Sequence, residues 1–329
     1  MSAEISLSVS RDSFPTRGVF TISRGSRTQA DVLSVSLRCG ESMGMGECVP
    51  YARYNETLDS VTEQIVSMRE ALAGGMDRLA LQNLLPAGAA RNALDCALWD
   101  LESKMTGTPV WQLAELDEPQ PVITAFTLSL DTPENMKAAA TDNASRPLLK
   151  IKLGGEGDLA RLEAVRAGAP QSQLIVDANE GWTVDDYQSL APVMLALGVT
   201  LVEQPLPAGA DEKLVGLARP LPVCADEACH DRNSLSELGG KYDVVNIKLD
   251  KTGGLTEALA LRRAAFDAGF EVMVGCMVGS SLAMAPALLV AQGVKFTDLD
   301  GPLLLAEDRA TPMQFEGSLV YPASQELWG

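Results

Sequence analysis

From Pro121 onward the chain repeats one unit: a short apolar run, a turn, then a stretch with helical periodicity. The runs are VITAFTLSL, LLKIKLG, QLIVDAN, VTLVEQP, PVCADEA, VVNIKLD, EVMVGCM and KFTDLDG. Apolar runs of this length, bounded by turn residues, read as strands buried on both faces, the condition of a parallel sheet. Eight of them with seven intervening helices predict an α/β barrel. No room is left for an eighth full helix before the tail. The expected architecture is therefore a modified TIM barrel of (β/α)7β form over residues 119–305.

The first third has a different rhythm. ADVLSVSLRCG alternates Leu33, Val35 and Leu37 with Ser34, Ser36 and Arg38, the period-2 pattern of a half-buried strand. ISLSV and VFTIS are expected to pair with it as an antiparallel meander. Helical stretches follow near 57–73 and 87–106. The second repeats Leu94, Leu98, Leu101 and Met105 at helical spacing and stops at Gly107 and Pro109. Residues 1–118 thus read as an α+β capping domain, and 306–329 as a segment returning to it.

Several function classes drop out on composition. Net charge is −18, from 26 basic against 44 acidic residues, which argues against a nucleic-acid partner. The opening MSAEISLSVSRDSF has no basic or apolar signal region, and no stretch of about 18 uncharged apolar residues predicts a membrane span. Cys39, Cys48, Cys96, Cys224, Cys229 and Cys276 are scattered, with no CxxC pair, as in a reducing compartment. A cytoplasmic protein is expected, with homo-oligomerisation left open. His230 is the one histidine, so chemistry built on a Ser-His or Cys-His pair has almost no material here.

Barrel enzymes place their chemistry at the C-terminal ends of the strands. Those ends read Thr127, then Lys150 and Lys152, then Asp177 and Asn179, then Glu203, Asp226, Lys248, Cys276, and last Asp298 and Asp300. Asp177, Glu203 and Asp226 end consecutive strands and converge. Like charges gathered there need a cation, and three hard oxygen ligands without His or Cys point to Mg²⁺. Ion pairing with the flanking lysines is the alternative. Lys150 and Lys152 share a strand face about 6.6 Å apart. At an effective dielectric of about 20 their repulsion is about 2.5 kcal/mol, enough to lower a lysine from about 10.4 to about 8.6. Strands two and six lie on opposite sides of a closed barrel. Lys152 and Lys248 could therefore remove a proton from one face of a carbon and return it on the other.

Other features read as structure. GGEG (154–157) and KTGGL (251–255) lack the GxxxxGK[ST] pattern and are taken as turns between strand and helix. His230 reads as a loop residue, and Trp99 and Trp111 as packing.

The stretches KIK, VDAN, VEQP, ADE and NIKLDKTGG resemble the enolase superfamily, in its muconate-lactonizing-enzyme-like subgroup. TISRGSRT, PAGAARNALDCALWDLE and DLDGP are similar to the dipeptide epimerases within it. That resemblance implies epimerisation of the glutamate α-carbon in L-Ala-D/L-Glu dipeptides. It implies Asp177, Glu203 and Asp226 as Mg²⁺ ligands. Lys152 would be the base for the L-configured carbon, Lys248 for the D-configured one, and Lys150 would tune Lys152 and stabilise the enolate. Asp298 and Asp300 would hold the free ammonium, and Arg24 the side-chain carboxylate, with Arg27 open as its alternative. Thr127, Cys276 and Met277 would line the substrate. Rivals sharing the machinery are an epimerase of another dipeptide, a cycloisomerase, an o-succinylbenzoate synthase and an N-acylamino-acid racemase. A non-catalytic carboxylate-binding relative and a Schiff-base aldolase barrel are rivals of other classes.

Overall fold

The structure, a computed structural model, describes residues 4–329. Strands Ser6–Ile22, Gly25–Cys39 and Ser42–Cys48 form the antiparallel meander. ISLSV and VFTIS belong to one long strand whose register breaks between Pro15 and Phe20. Leu33, Val35 and Leu37 pack against Ala93, Leu94, Ala97 and Leu98 of helix Ala89–Thr106. That helix lies directly on the third strand, and a Cβ on Gly46 would fall 2.1 Å from the Ala93 carbonyl oxygen. The stretch near 57–73 divides at Met68 into Leu58–Ser67 and Arg69–Ala73. A further short helix, Arg78–Leu84, escaped the periodicity and is capped by Asp77.

The barrel strands are Phe126–Leu128, Leu148–Lys152, Gln173–Asp177, Val199–Glu203, Val223–Ala225, Val244–Ile247, Glu271–Gly275 and Phe296–Asp298. They form one sheet in sequential order, and its ends meet where the Ala125 N–H donates to the Thr297 carbonyl at 2.8 Å. The expectation of seven helices needs correcting. Between Glu203 and Val223 the chain forms only a 3₁₀ segment, Ala208–Leu214. Pro205, Pro207, Pro220 and Pro222 crowd both ends of that connection and deny helix-forming donors. The next connection carries only a 3₁₀ turn and the four-residue helix Leu235–Leu238.

Inside the barrel, Ala125, Leu148, Ile175, Leu201, Cys224, Val244, Met273 and Phe296 form one buried apolar layer. Side chains two residues apart on a strand share a face. The next inward layer is therefore Thr127, Lys150, Asp177, Glu203, Asp226, Asn246, Gly275 and Asp298. Above it stand Lys152, Lys248 and Asp300. An apolar floor thus carries a charged layer, and local strand periodicity alone puts these groups in one place.

The tail binds both parts of the molecule. The Ala306 N–H donates to the Pro15 carbonyl at 2.7 Å, and Arg309 pairs with Asp12 and Glu47. Phe315–Glu316 and Leu319–Val320 form a small sheet with Val122–Ile123. The chain ends with Trp328 Nε1 donating to the Cys96 carbonyl and the Gly329 N–H to Asp100. Among the described residues no helix is long and apolar enough to cross a membrane.

Candidate active site

Asp177, Glu203 and Asp226 are all buried, and one oxygen from each lies within 4.8 Å of the others. Three buried carboxylates so close demand positive charge, and the structure surrounds them with ammonium groups. Lys150 Nζ lies 2.7 Å from Glu203 Oε2, 2.7 Å from Asp298 Oδ2 and 3.2 Å from Asp177 Oδ2. Lys152 Nζ is 2.5 Å from the same Asp177 oxygen, and Lys248 Nζ is 2.7 Å from Asp226 Oδ2. The repulsion anticipated between Lys150 and Lys152 is thus cancelled by an acid placed between them. Burial alone would lower Lys150, but Asp298, Glu203 and Asp177 hold it well above the ordinary lysine range. Lys248 is held up in the same way by Asp226 and Glu203. Burial, with the Asp177 charge, pushes Glu203 up to about 7, whereas against its burial Lys152 and Lys150 hold Asp177 low. The donor set, all carboxylate oxygen, fits a hard divalent cation.

Residues the sequence reading passed over hold these ligands in place. Asn246 Nδ2 donates to Glu203 Oε1 at 2.8 Å. Lys251, fully buried, donates to Asp226 Oδ1 at 2.6 Å, to the Asp226 carbonyl at 2.6 Å and to the Asn246 carbonyl at 2.9 Å. Gln204 Oε1 accepts from the N–H groups of Asp226 and Ala228. Gln204 has φ of 34° and Asn179 φ of 46°, left-handed positions directly beside the acid-bearing strand ends. Asn246 was legible in principle, since it lies two residues before Lys248 on an inward face. Lys251 stands one helical turn past Lys248, a weaker signal.

Gly275 belongs to this support, because a Cβ there would fall 2.7 Å from Asn246 Oδ1. Gly275→Ala is expected to lose about 1–3 kcal/mol of stability through overpacking. Urea denaturation checks this, and an undiminished midpoint would show that Asn246 can move aside.

Above the charged layer a cavity is walled by barrel and cap together. It is lined by Thr127, Lys150, Lys152, Lys248, Cys276, Met277, Asp298 and Asp300, and from the cap by Phe20, Ile22, Arg24, Arg27, Tyr51 and Tyr54. Asp298 and Asp300 are both buried. The Thr127 N–H donates to Asp300 Oδ2 at 2.6 Å, while Asp298 Oδ1 has no hydrogen-bond partner among the described residues. Burial and the Asp298 charge push Asp300 up to about 7. Glu227, another residue absent from the sequence reading, is buried at the cavity wall, 2.7 Å from Arg24. The loop after Cys276 ends at Ser280, which caps helix Ser281–Val290 and donates its N–H to Glu47. His230 lies in a loop, as read, edge-on to Tyr54.

A capped, eight-stranded barrel whose strand ends gather three carboxylates between opposed lysines defines a class of cation-dependent barrel site. Residues 4–114 match the mandelate racemase/muconate lactonizing enzyme N-terminal domain, and residues 135–317 match the enolase C-terminal domain-like family. The chain belongs to the enolase superfamily, in its mandelate racemase/muconate lactonizing enzyme branch. It is 48% identical over 291 residues to an N-acetyl-D-glutamate racemase of a Pseudoalteromonas species, covering 88% of this chain and 92% of that one. It is 46% identical over 309 residues to the L-Ala-D/L-Glu epimerase of Escherichia coli K12, covering 93% and 96%. An enolase family member from Agrobacterium tumefaciens with homology to dipeptide epimerases, solved with sodium and L-Ala-L-Glu bound, superposes with a TM-score of 0.97. Its sequence identity is 52%, over 99% of this chain and 100% of that one.

Proposed function

We propose that this protein epimerises the glutamate α-carbon of L-Ala-D/L-Glu dipeptides by proton transfer between two lysines, with Mg²⁺ held by Asp177, Glu203 and Asp226. The observation that carries this reading is the placement of Lys152 and Lys248 at the C-terminal ends of strands two and six, with the three acids between them. Bound there, the cation supplies positive charge next to the substrate's terminal carboxylate, which makes the α-proton removable.

The chain's own groups do the rest. One lysine Nζ accepts the α-proton on one face, and the opposite ammonium returns a proton on the other, inverting the carbon. Lys150, kept cationic by its three acids, stabilises the negative charge that develops on the substrate. Asp298 and Asp300 take the free ammonium, and a guanidinium of the cap loop takes the side-chain carboxylate. Thr127, Cys276 and Met277 line the substrate. The Agrobacterium relative, solved with L-Ala-L-Glu, supports the substrate class. A cytoplasmic setting accords with the cysteine usage.

A second reading, racemisation of N-acetyl-glutamate, is favoured by the Pseudoalteromonas relative. It is also favoured by Asp300, whose carboxyl near 7 could in its protonated form donate to an acyl oxygen. The two readings separate on incorporation of solvent deuterium at the glutamate α-carbon, measured with L-Ala-L-Glu and with N-acetyl-D-glutamate. Preference for the free dipeptide supports the first reading, and preference for the acylated substrate overturns it.

Asp300 adds a pH signature. Only its ionised form attracts an ammonium, and that form prevails above about 7. The KM for L-Ala-L-Glu is therefore expected to rise as pH falls through that value. Asp300→Asn should raise KM by about 10- to 100-fold and flatten its pH dependence, since a hydrogen bond to a charged group is being lost. A KM unchanged by the substitution would remove Asp300 from the ammonium site.

A further inference from the structure

KTGGL (251–255) does more than turn the chain from strand to helix. The short helix Leu249–Thr252 starts directly after Lys248 and is closed by Gly253, with φ of 76°, and Gly254, with φ of 111°. Neither position has room for a side chain. A Cβ on Gly253 would fall 2.4 Å from Arg91 Nε, and one on Gly254 would fall 2.5 Å from Asp95 Oδ2. The space is taken by the cap helix Ala89–Thr106, where Arg91, Asp95 and Trp99 follow one another a helical turn apart. Arg91 Nη2 donates to the Thr252 carbonyl at 2.6 Å and Nε to the Gly253 carbonyl at 3.2 Å. Its Nη1 donates to the Gln82 and Leu85 carbonyls of the cap, so both sides of the guanidinium are fixed. Asn92 Nδ2 donates to Asp250 Oδ1 at 2.8 Å, which also accepts from the Val49 N–H at 3.0 Å. Asp95 Oδ2 accepts from the Thr256 N–H at 2.9 Å, and Trp99 Nε1 donates to Thr256 Oγ1 at 2.9 Å. Thr256 is the second residue of helix Leu255–Asp267, whose N-cap, Gly254, has no side chain to offer. A carboxylate of the cap domain therefore satisfies the free N–H that an N-cap residue would otherwise take.

The chain after Lys152 is held differently. There the Gly154 and Gly155 N–H groups donate to Asp158 Oδ2 at 3.0 and 2.7 Å, and Trp182 Nε1 donates to the same oxygen at 2.7 Å. All of these are barrel residues. The two strand ends that carry the opposed lysines thus rest on different hydrogen-bonded supports, one within the barrel and one in the cap.

We infer that the cap helix braces Lys248: Arg91 and Asp95 are positioning residues that fix the turn following this lysine, and they serve one face of the reaction only. The inference rests on the two-base reading and deepens it. A displacement of about 1 Å at a reacting group can cost about 100-fold in rate. Loosening the turn should therefore slow proton transfer through Lys248 and leave transfer through Lys152 almost untouched.

The test is deuterium incorporation at the glutamate α-carbon of L-Ala-L-Glu and of L-Ala-D-Glu, with Mg²⁺ present, in the parent protein, Arg91→Met, Asp95→Asn and Asp158→Asn. The isomer served by Lys248 is identified as the one whose exchange Lys248→Ala abolishes. Arg91→Met should slow exchange of that isomer by about 10- to 100-fold in kcat, with its KM and the exchange of the other isomer little changed. Arg91→Lys, which returns a donor toward the Thr252 carbonyl, should recover part of the rate. Asp95→Asn should show the same bias more weakly; being nearly isosteric, it keeps the test open if Arg91→Met proves unfolded by its thermal midpoint. Asp158→Asn should produce the opposite bias. The inference is overturned if the folded Arg91 and Asp95 variants slow both isomers alike, slow neither, or slow only the isomer served by Lys152, or if Asp158→Asn slows the same isomer as they do. A parent that exchanges neither isomer overturns the two-base reading and the brace with it, whereas equal slowing of both isomers in variants of an active parent overturns the brace alone.

Discussion

Lys152→Ala and Lys248→Ala are each expected to lower the rate of epimerisation by about 10²- to 10⁴-fold, the range supplied by a positioned acid or base. The informative part is the isotope pattern. In the proposed scheme the two lysines would approach the α-carbon from opposite sides, and each would remove the proton of only one isomer. With Lys152 gone, deuterium incorporation should fail from one of L-Ala-L-Glu and L-Ala-D-Glu; with Lys248 gone, it should fail from the other. Family resemblance assigns the L,L isomer to Lys152 and the L,D isomer to Lys248, and the same experiment decides that assignment. Two variants that still epimerise, or that fail on the same isomer, would end the two-base scheme. Loss of either lysine also leaves an acid, Asp177 or Asp226, short of a partner, but each keeps another: Lys150 for Asp177 and Lys251 for Asp226. Both variants should therefore fold, which makes their kinetics interpretable.

Removal of the divalent cation should have an effect of similar size and a different character. Chelation is expected to bring α-proton exchange to background while leaving the protein folded. The reason lies in the charge layer: Lys150, Lys152, Lys248 and Lys251 all contact Asp177, Glu203 or Asp226. Four ammonium groups are enough to hold three carboxylates without a metal. Against its burial, Asp226 and Glu203 hold the Lys248 ammonium well above the ordinary lysine range. A cation held by Asp177, Glu203 and Asp226 would draw on the negative charge that keeps the Lys248 proton in place. Added Mg²⁺ at 100 times its dissociation constant should stabilise the fold by about 2.7 kcal/mol. Thermal unfolding with and without Mg²⁺ measures this, and in Asp226→Asn the increment should disappear. Exchange that survives exhaustive chelation would mean the acids serve only as counter-ions.

Much of the site was legible in the sequence because a strand has a period of two. Once LLKIK, QLIVD, VTLVE, VCAD and VVNIK are placed as adjacent barrel strands, the residue two beyond each buried apolar side chain must enter the same interior. No long-range information is needed to bring Lys150, Asp177, Glu203 and Asp226 together. The eight-fold alternation determined the barrel for the same reason. Each strand is apolar on both faces, and only a closed parallel sheet wrapped in other elements buries both.

What the sequence could not determine is which charge meets which. The Lys150–Lys152 spacing predicted repulsion, yet Asp177 Oδ2, 25 residues along from Lys152, lies within reach of both amines. Arg24 and Arg27 are three residues apart and chemically alike. Only the folded structure brings Arg24 against Glu227, two hundred residues away. Lys251 looked like one more lysine on a short turn until Asp226 was seen against it. Strand periodicity is local and survives in one dimension, so it fixed the fold and the membership of the site. Electrostatic pairing depends on distance in space, within a few ångströms, so the state of each charge was decided only when the barrel closed and the cap came down on it.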